Sequence, residues 1–309
     1  MILTVTINPA IDRNVTADRL VFEDRGYILS AHESAGGRGF NASQVIHKFG
    51  GDTVAILACG GETGTRLEAF IRQAGFPVDL IPIRNPIRVN LSISDKQGLT
   101  IKLNEVGPLI HADEMEQFER RVEARLGGAM WLMLCGSLPP GVPAEFYARL
   151  VRSARQANVR VLLDADGDAL RRGMEAGPTV ACPNEQEAEQ LLGTVLLTRS
   201  HSVEAAESLR AMGAEFVLLS LGSRGALLAG PEGVLEGVPP AIDAVCPIGA
   251  GDALAAAYVW ALARGENAEE ALRWGVAAGS ASALLPGVSF ASIERTREMR
   301  ARVEVRRIQ

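Results

Sequence analysis

The sequence predicts an α/β protein, a doubly wound and mostly parallel sheet with helices on both faces and a small β-sheet lid. Three observations lead there. Apolar strand-like runs alternate with helix-like segments through most of the 309 residues. The runs are near-continuously apolar, as in strands covered on both faces. Two segments, 13–34 and 84–105, break the rhythm with short pieces of alternating polarity.

Val54–Cys59 reads as a strand, and Glu62–Ala74 as a helix ended by Gly75. Asp113–Leu126 reads as a helix, with Asp113 and Glu116 spaced as a variant of the capping box. Met130–Cys135 is strand-like, Ala144–Ala157 is a helix after Pro143, and Val159–Asp164 is a strand. Strand Thr179–Cys182 leads into helix Glu185–Leu192, and helix Val203–Met212 into strand Phe216–Ser220. Ala253–Ala263 is helix-like, and Asn267 with Glu270 caps a last long helix through Leu272–Leu285, so the C-terminal third reads as largely helical. Within the interruptions, Arg88–Ser94 alternates in polarity and Asp95–Gly98 has the character of a hairpin turn. Both interruptions follow core strands and are expected to pair as a small antiparallel sheet over one side of the core. No repeat or linker divides the chain, so residues 1–309 are expected to form a single α/β domain whose lid is formed by 13–34 and 84–105.

Composition excludes several function classes. A hydrophobic content of 47% supports a large core. The net charge of -6, without a long basic run, argues against a nucleic-acid or anionic-membrane partner. The N-terminus lacks a basic region and soon reaches Pro9, so no signal peptide is expected, and no run approaches membrane-spanning length. Cys59, Cys135, Cys182 and Cys246 are widely spaced with no CxxC pair, which fits reduced cysteines and a cytoplasmic location. The four histidines are too scattered to suggest zinc.

The most informative stretch is Pro247–Asp252, a glycine-rich turn running straight into the apolar helix that starts there. Free N–H groups at such a start, with the helix dipole behind them, form an anion site. A carboxylate in that first turn repels an ordinary anion. The pairing makes sense if Gly249, Ala250 and Gly251 hold a phosphoryl group in transfer while Asp252 takes the proton of the attacking hydroxyl. Helix capping is the plainer role for Asp252. A second glycine-rich segment, Ala35–Ala42, opens a helix running to Phe49. Gly36 and Gly37 allow close approach, Arg38 is a bidentate donor for phosphate, and Asn41 can bind sugar hydroxyls; alone, a loop before a helix explains it as well. Neither a P-loop nor a dinucleotide fingerprint is present. Asn184 and Glu187, three residues apart, form a capping pair or a metal-organising pair, and the two roles are compatible. Arg88 and Asn90 share a face of a lid strand. Arg38, Arg88 and Lys102 supply three cations for a substrate phosphate. Ser137 ends one apolar strand, and Asp164 ends another at the edge where open α/β sheets bind ligands.

Together these motifs resemble the PfkB (ribokinase-like) carbohydrate kinase family, over nearly the whole chain. Asn8–Arg13 resembles the opening motif of the phosphosugar branch, in which the aspartate, here Asp12, binds sugar hydroxyls. Gly36–Asn41 is similar to the first family signature and Ile248–Asp252 to the second. Asn104–Pro108 and Gly136–Pro143 are similar to the pattern in 1-phosphofructokinases and tagatose-6-phosphate kinases. Pro183–Glu187 resembles the nucleotide and magnesium segment, and Ser220–Gly225 the ATP-phosphate loop. The resemblance implies an ATP- and Mg²⁺-dependent kinase, with fructose 1-phosphate as the first choice of acceptor and tagatose 6-phosphate or fructose 6-phosphate as alternatives. A sugar-phosphate binding protein that kept the fold without catalysis is the remote reading. On the acceptor side it implies Asp12, Gly36, Gly37, Arg38, Asn41, Arg88, Asn90, Lys102 and Ser137. For ATP it implies Asn184, Ser220, Gly222, Ser223 and Gly225, and for Mg²⁺ it implies Glu187 acting through water. A homodimer joined lid to lid is also expected, as exposed sheet edges demand cover. The chain departs from the family pattern at Arg38, Cys182 and Cys246–Pro247, where lysine, lysine and a polar pair are usual. The last change bears on ATP contacts and leaves a monovalent cation open.

Overall fold

The computed structural model describes residues 1–21 and 23–308; Phe22, inside the expected lid segment, and Gln309 lie outside the described residues. In chain order, β1 (Ile2–Thr6) is followed by β2 (Ala10–Ala17), β3 (Ile28–Gly36) and α1 (Arg38–Lys48). Next come β4 (Thr53–Cys59), α2 (Gly61–Ile71), β5 (Val78–Pro82), β6 (Arg88–Asp95), β7 (Thr100–Asn104) and α3 (Ala112–Leu126). The alternation resumes with β8 (Trp131–Cys135), α4 (Phe146–Gln156), β9 (Arg160–Asp164), α5 (Gly167–Glu175), β10 (Val180–Ala181) and α6 (Glu185–Leu192). After α7 (Arg199–Ala211) come β11 (Phe216–Ser220), β12 (Ala226–Gly230), β13 (Gly233–Val238), α8 (Ala250–Ala263), α9 (Ala268–Ala283), α10 (Ile293–Arg300) and β14 (Glu304–Ile308).

Ten strands form one sheet in the order β14-β13-β12-β11-β10-β9-β8-β1-β4-β5. From β11 to β5 every pairing is parallel; β12, β13 and β14 extend the edge antiparallel. The period of two along each strand sorts the core into two apolar layers. Leu3, Val5, Leu132, Leu134, Val161 and Leu163 join the layer beneath α2 to α5 and α7. Ile2, Trp131, Met133 and Leu162 pack on the other side, against α1, α8 and α9. Strands covered on both faces need apolar residues at nearly every position, which is why the sequence shows runs here rather than alternation. Helix α8 is apolar almost all round because nine of its residues are buried. The core wedges it against the sheet, so its N-terminus is rigidly placed.

β2, β3, β6 and β7 form a second, four-stranded sheet in the order β3-β2-β6-β7. The expectation of an antiparallel sheet holds for β2–β3 and β6–β7, whereas the central pair β2–β6 is parallel. Two further expectations need correction. The C-terminal third is not mainly helical, because the hairpin β12–β13 and strand β14 build three edge strands. Glu236 on β13 binds Arg199 Nε at 2.9 Å and Arg306 Nε at 2.7 Å, tying β14 to β13 and α7. The start of α3 is capped two residues earlier than Asp113/Glu116 implied. Buried Glu114 accepts from His111 N–H at 2.8 Å and from Arg84 N–H at 2.6 Å. Arg84 lies in a loop, so this second bond is invisible to helical spacing. No helix among the described residues is long and apolar enough to cross a membrane.

Candidate active site

The candidate residues collect at the carboxyl edge of the main sheet, around the point between β1 and β8 where strand order reverses direction. Asn8, just beyond β1, spans that point: its Nδ2 donates to Ser137 Oγ at 3.2 Å, after β8, and to Val106 O at 2.9 Å.

Helix α8 starts here. Gly249 takes φ 81°, in the left-handed region that favours glycine. Ala250 N–H turns back to Pro247 O at 3.2 Å, so it closes the turn. The N–H groups of Gly251 and Asp252 find no protein acceptor among the described residues, and a Cβ at Gly251 would meet only open space. The Gly249, Gly251 and Asp252 N–H groups therefore remain the candidate donors for an anion, while Ala250 N–H is used in the turn. Asp252 Oδ2 accepts from Asn41 Nδ2 at 2.7 Å. Burial, with the negative charge of Asp164 next, pushes the Asp252 carboxyl up to about 7, against the Asn41 hydrogen bond and the charge of Arg38. A carboxylate near pH 7 is matched to general-base work.

Arg38, the first residue of α1, supplies the local cation. Its guanidinium donates to Asp164 Oδ1 at 2.7 Å and Glu187 Oε1 at 3.0 Å, with Asp166 Oδ2 at 3.9 Å. The charge of Asp164 is the main reason its pKa is raised. Burial raises Asp164 and Glu187, and the guanidinium opposes that rise. Glu187 and Asn184 form a full capping box on α6: Glu187 N–H donates to Asn184 Oδ1 and Asn184 N–H to Glu187 Oε2, each at 2.9 Å. Both carboxylate oxygens of Glu187 are thus occupied, one by the helix cap and one by Arg38.

The second sheet holds several of the residues expected on the acceptor side. Register sets Asp12 opposite Asn90, whose Nδ2 donates to Asp12 Oδ1 at 2.9 Å. Burial raises the Asp12 carboxyl. Gly36 lies flat against it; a Cβ there would come 2.2 Å from Asp12 Oδ2. Arg88 donates to Asn8 O at 3.0 Å and Glu105 O at 3.1 Å, and its Nε is buried without a partner. The Oδ1 atoms of Asn8, Asn41 and Asn90 are also buried and unpaired. Buried polar atoms are rarely left unpaired without reason. Three amide oxygens and one guanidinium nitrogen left unpaired in this region are groups that a ligand rich in hydroxyls and bearing an anion would pair. Lys102 is exposed on β7 opposite Ser92, with no hydrogen bond or ion pair among the described residues.

On the other side of Asp252 lies a cavity of about 220 Å³ walled by Ser220, Gly222, Ser223, Gly225, Ala250 and Gly251 and backed by apolar side chains such as Ile242 and Val276. Ser220 N–H donates to Pro183 O at 3.0 Å, and Asn184 bridges to Ser220, so the two segments assigned to ATP lie side by side. A hollow of about 180 Å³ adjoins it, sharing Ser220 and Gly251 and lined also by Arg38, Asp164, Glu187 and Asp252. Cys182 lines this hollow as well, its thiol pushed up by burial and by Asp164. Among the described residues no three His, Cys, Asp or Glu side chains converge as a self-sufficient metal cage. Two carboxylates beside a phosphate-sized hollow suit Mg²⁺, which prefers one or two carboxylates completed by water and substrate phosphate.

The predicted residues therefore separate into three groups around Asp252. Asn184, Ser220, Gly222, Ser223 and Gly225 meet Gly249–Gly251 on one side. Asp12, Gly36, Asn90, Arg88 and Ser137 meet on the other, with Gly37 and Asn41 between. Arg38 sits on Asp164 and Glu187 rather than beside Arg88, and Lys102 stands apart. Sequence reasoning gave no separate role to Asn8, Asp166 or the Arg38 clamp. Asn8 was visible only as part of a motif, and the clamp joins residues 126 and 149 positions apart.

Comparison with known proteins gives a consistent answer. The model of the pfkB family of carbohydrate kinases matches residues 3–295. The 1-phosphofructokinase of Bacillus subtilis is 30% identical over 285 residues, 92% of either chain. The crystal structure of phosphofructokinase-2 from Escherichia coli in complex with potassium is similar with a TM-score of 0.91 at 30% identity, covering 97% of this chain and 98% of that one. A possible 1-phosphofructokinase from Thermotoga maritima gives a TM-score of 0.92 at 28% identity over the full length of both chains.

Proposed function

The chain belongs to the pfkB family of carbohydrate kinases and is an ATP-dependent phosphotransferase, and on that premise we propose that its acceptor is a phosphosugar, fructose 1-phosphate, converted to fructose 1,6-bisphosphate. The observation that carries this reading is the position of Asp252, a carboxylate near 7 between a cavity of about 220 Å³ walled by the Ser220–Gly225 loop and the unpaired acceptors of Asn8, Asn41 and Asn90. Asp12 and the asparagines take the sugar hydroxyls, and Arg88 and Ser137 face its phosphate.

Asp252 takes the proton of the C6 hydroxyl as that oxygen attacks the γ-phosphoryl, whose bond to the departing ADP oxygen breaks. Gly251 and Asp252 N–H groups, at the positive end of α8, stabilise the charge that spreads over the phosphoryl oxygens. Glu187 and Asp164 are the groups that would hold Mg²⁺, which when bound neutralises phosphate charge. Pro247 closes the turn that aims these groups, and its missing N–H removes one donor next to the site; a bound monovalent cation beside this loop is a further part of the reading. The four-stranded sheet acts as the lid, excluding water from the transfer. Four free cysteines support a reducing, cytoplasmic setting.

The face of the lid that points away from Asp12 is apolar. Leu91 pairs with Leu103 and Ile93 with Ile101, and Leu103 is 57% exposed. Tyr27 and Ile28 extend the patch, each 63% exposed. Such a patch favours burial, and we assign it to a second copy of the chain, joined lid to lid.

The test is an acceptor screen with ATP that ranks kcat/KM for fructose 1-phosphate, tagatose 6-phosphate and fructose 6-phosphate, with a thermal-shift series alongside. Fructose 1-phosphate is expected to rank first. Stabilisation by a phosphosugar without ADP formation would instead mark a non-catalytic binder.

A further inference from the structure

We propose that Arg38 is a displaceable cation that couples divalent-metal binding to capture of the acceptor's phosphate. The inference rests on the phosphosugar-kinase reading and deepens it. Three carboxylates surround this one guanidinium: Asp164 at 2.7 Å, Glu187 at 3.0 Å and Asp166 at 3.9 Å. The second oxygen of Glu187 is held by Asn184 N–H at 2.9 Å. Any divalent cation addressing Asp164 and Glu187 therefore meets oxygens that Arg38 already holds, and the two cations repel. Arg38 then has reason to leave.

Packing does not lock it in place. Arg38 borders the hollow of about 180 Å³ beside Asp252, and its side chain is 32% exposed. Burial lowers the Arg88 pKa and the charge of Arg38 adds to that, while the charges of Asp12, Asp166 and Glu105 oppose it. Yet no carboxylate lies within 4 Å of Arg88 among the described residues; its donors rest on two backbone carbonyls, and its Nε is unpaired. Two guanidiniums that disfavour each other, one of them without a direct carboxylate partner, are brought together by a dianion between them. Metal at the carboxylates pushes Arg38 toward that dianion, and the phosphate draws it off the carboxylates. The two ligands therefore assist each other, and linkage requires the factor to be equal in both directions.

The experiment titrates the protein calorimetrically, without nucleotide, with fructose 1-phosphate or whichever of the three phosphosugars the wild type turns over, in the absence and presence of Mn²⁺. Free Mn²⁺ is followed separately by its electron paramagnetic resonance signal. In the wild type, Mn²⁺ is expected to tighten sugar-phosphate binding about 10-fold, and the sugar phosphate to tighten Mn²⁺ by the same factor. Arg38→Met abolishes the coupling while Mn²⁺ alone binds as well or better. A merely structural role would weaken both ligands and leave their coupling intact. Arg38→Lys, a point cation that engages one carboxylate, retains part of the coupling and carries the test if the Met variant fails to fold. A wild type without coupling, or coupling unchanged in both variants, overturns the proposal. If no phosphosugar binds or is turned over, the parent reading falls and this one with it; turnover without coupling sinks only this one.

Discussion

The carboxyl edge of the main sheet and the four-stranded sheet differ in how their residues are held. At the edge, Asp252, Asn41, Arg38, Asp164 and Glu187 sit on strand ends and helix starts fixed by the two core layers, and they are cross-linked to one another by bonds of 2.7–3.0 Å. On the second sheet, β7 is exposed along its whole length and the apolar side of β6 is only partly covered. The residues read as catalytic are thus held by one another, whereas those read as acceptor-binding stand on a thinly supported element, where Arg88 Nε and Asn90 Oδ1 are buried without partners. The comparison implies that damage at the edge appears in kcat and damage on the second sheet in KM.

The largest effect is expected for Asp252→Asn, which removes the base and keeps the size. It should lower kcat by about 10²–10⁴ while calorimetric sugar binding stays near wild type. Loss of binding instead would move Asp252 to the acceptor side and blur the division. Arg88→Ala comes next: steady-state kinetics should show KM for the phosphosugar raised about 10- to 100-fold, the worth of a charge-assisted contact, with a smaller change in kcat. A fall confined to kcat would break the comparison. Leu103→Asp, placed on the apolar face of the lid, should convert a dimer to a monomer in light scattering and raise KM a fewfold; a wild type that already scatters as a monomer removes the proposed interface. Lys102→Ala should have the smallest effect, about fivefold or less in KM, because an exposed amine without a partner contributes little. A larger change would mean that the lid closes far enough to bring Lys102 onto the substrate.

Local chemistry was readable in advance and remote pairing was not. The parallel strands announced themselves as apolar runs, and the Asn184–Glu187 box as a three-residue spacing that the structure reproduces. The turn into α8 was legible because glycine-rich helix starts have few uses. The antiparallel edge escaped because it depends on remote pairing: β14 joins residues about 70 positions away, through Glu236 and Arg306. The cap of α3 escaped because His111 is an unusual first residue and Arg84 completes the bond from a distance. Arg38 was legible as a cation near phosphate, but its carboxylate partners come from other strands, and spacing cannot reveal which charge a guanidinium faces. The same holds for the unpaired oxygens of Asn8, Asn41 and Asn90, which acquire meaning only once burial is known.

The central claim is that Asp252 works as a base tuned to about 7 by burial and by Asp164, with Asn41 holding it down. The most direct measurement is the pH dependence of kcat/KM for the wild type and for Asn41→Ala, each checked for folding by its melting temperature. A raised carboxyl is protonated, and inactive as a base, below its pKa, so activity should fall about tenfold per unit of acidity below about 7. Removing the Asn41 donor takes away a bond to the charged form, so the acid limb should move up by about one unit. The ionisation of the substrate phosphate is common to both enzymes and drops out of their difference. An acid limb that sits at an ordinary carboxylate value, or that stays in place in Asn41→Ala, would contradict the account.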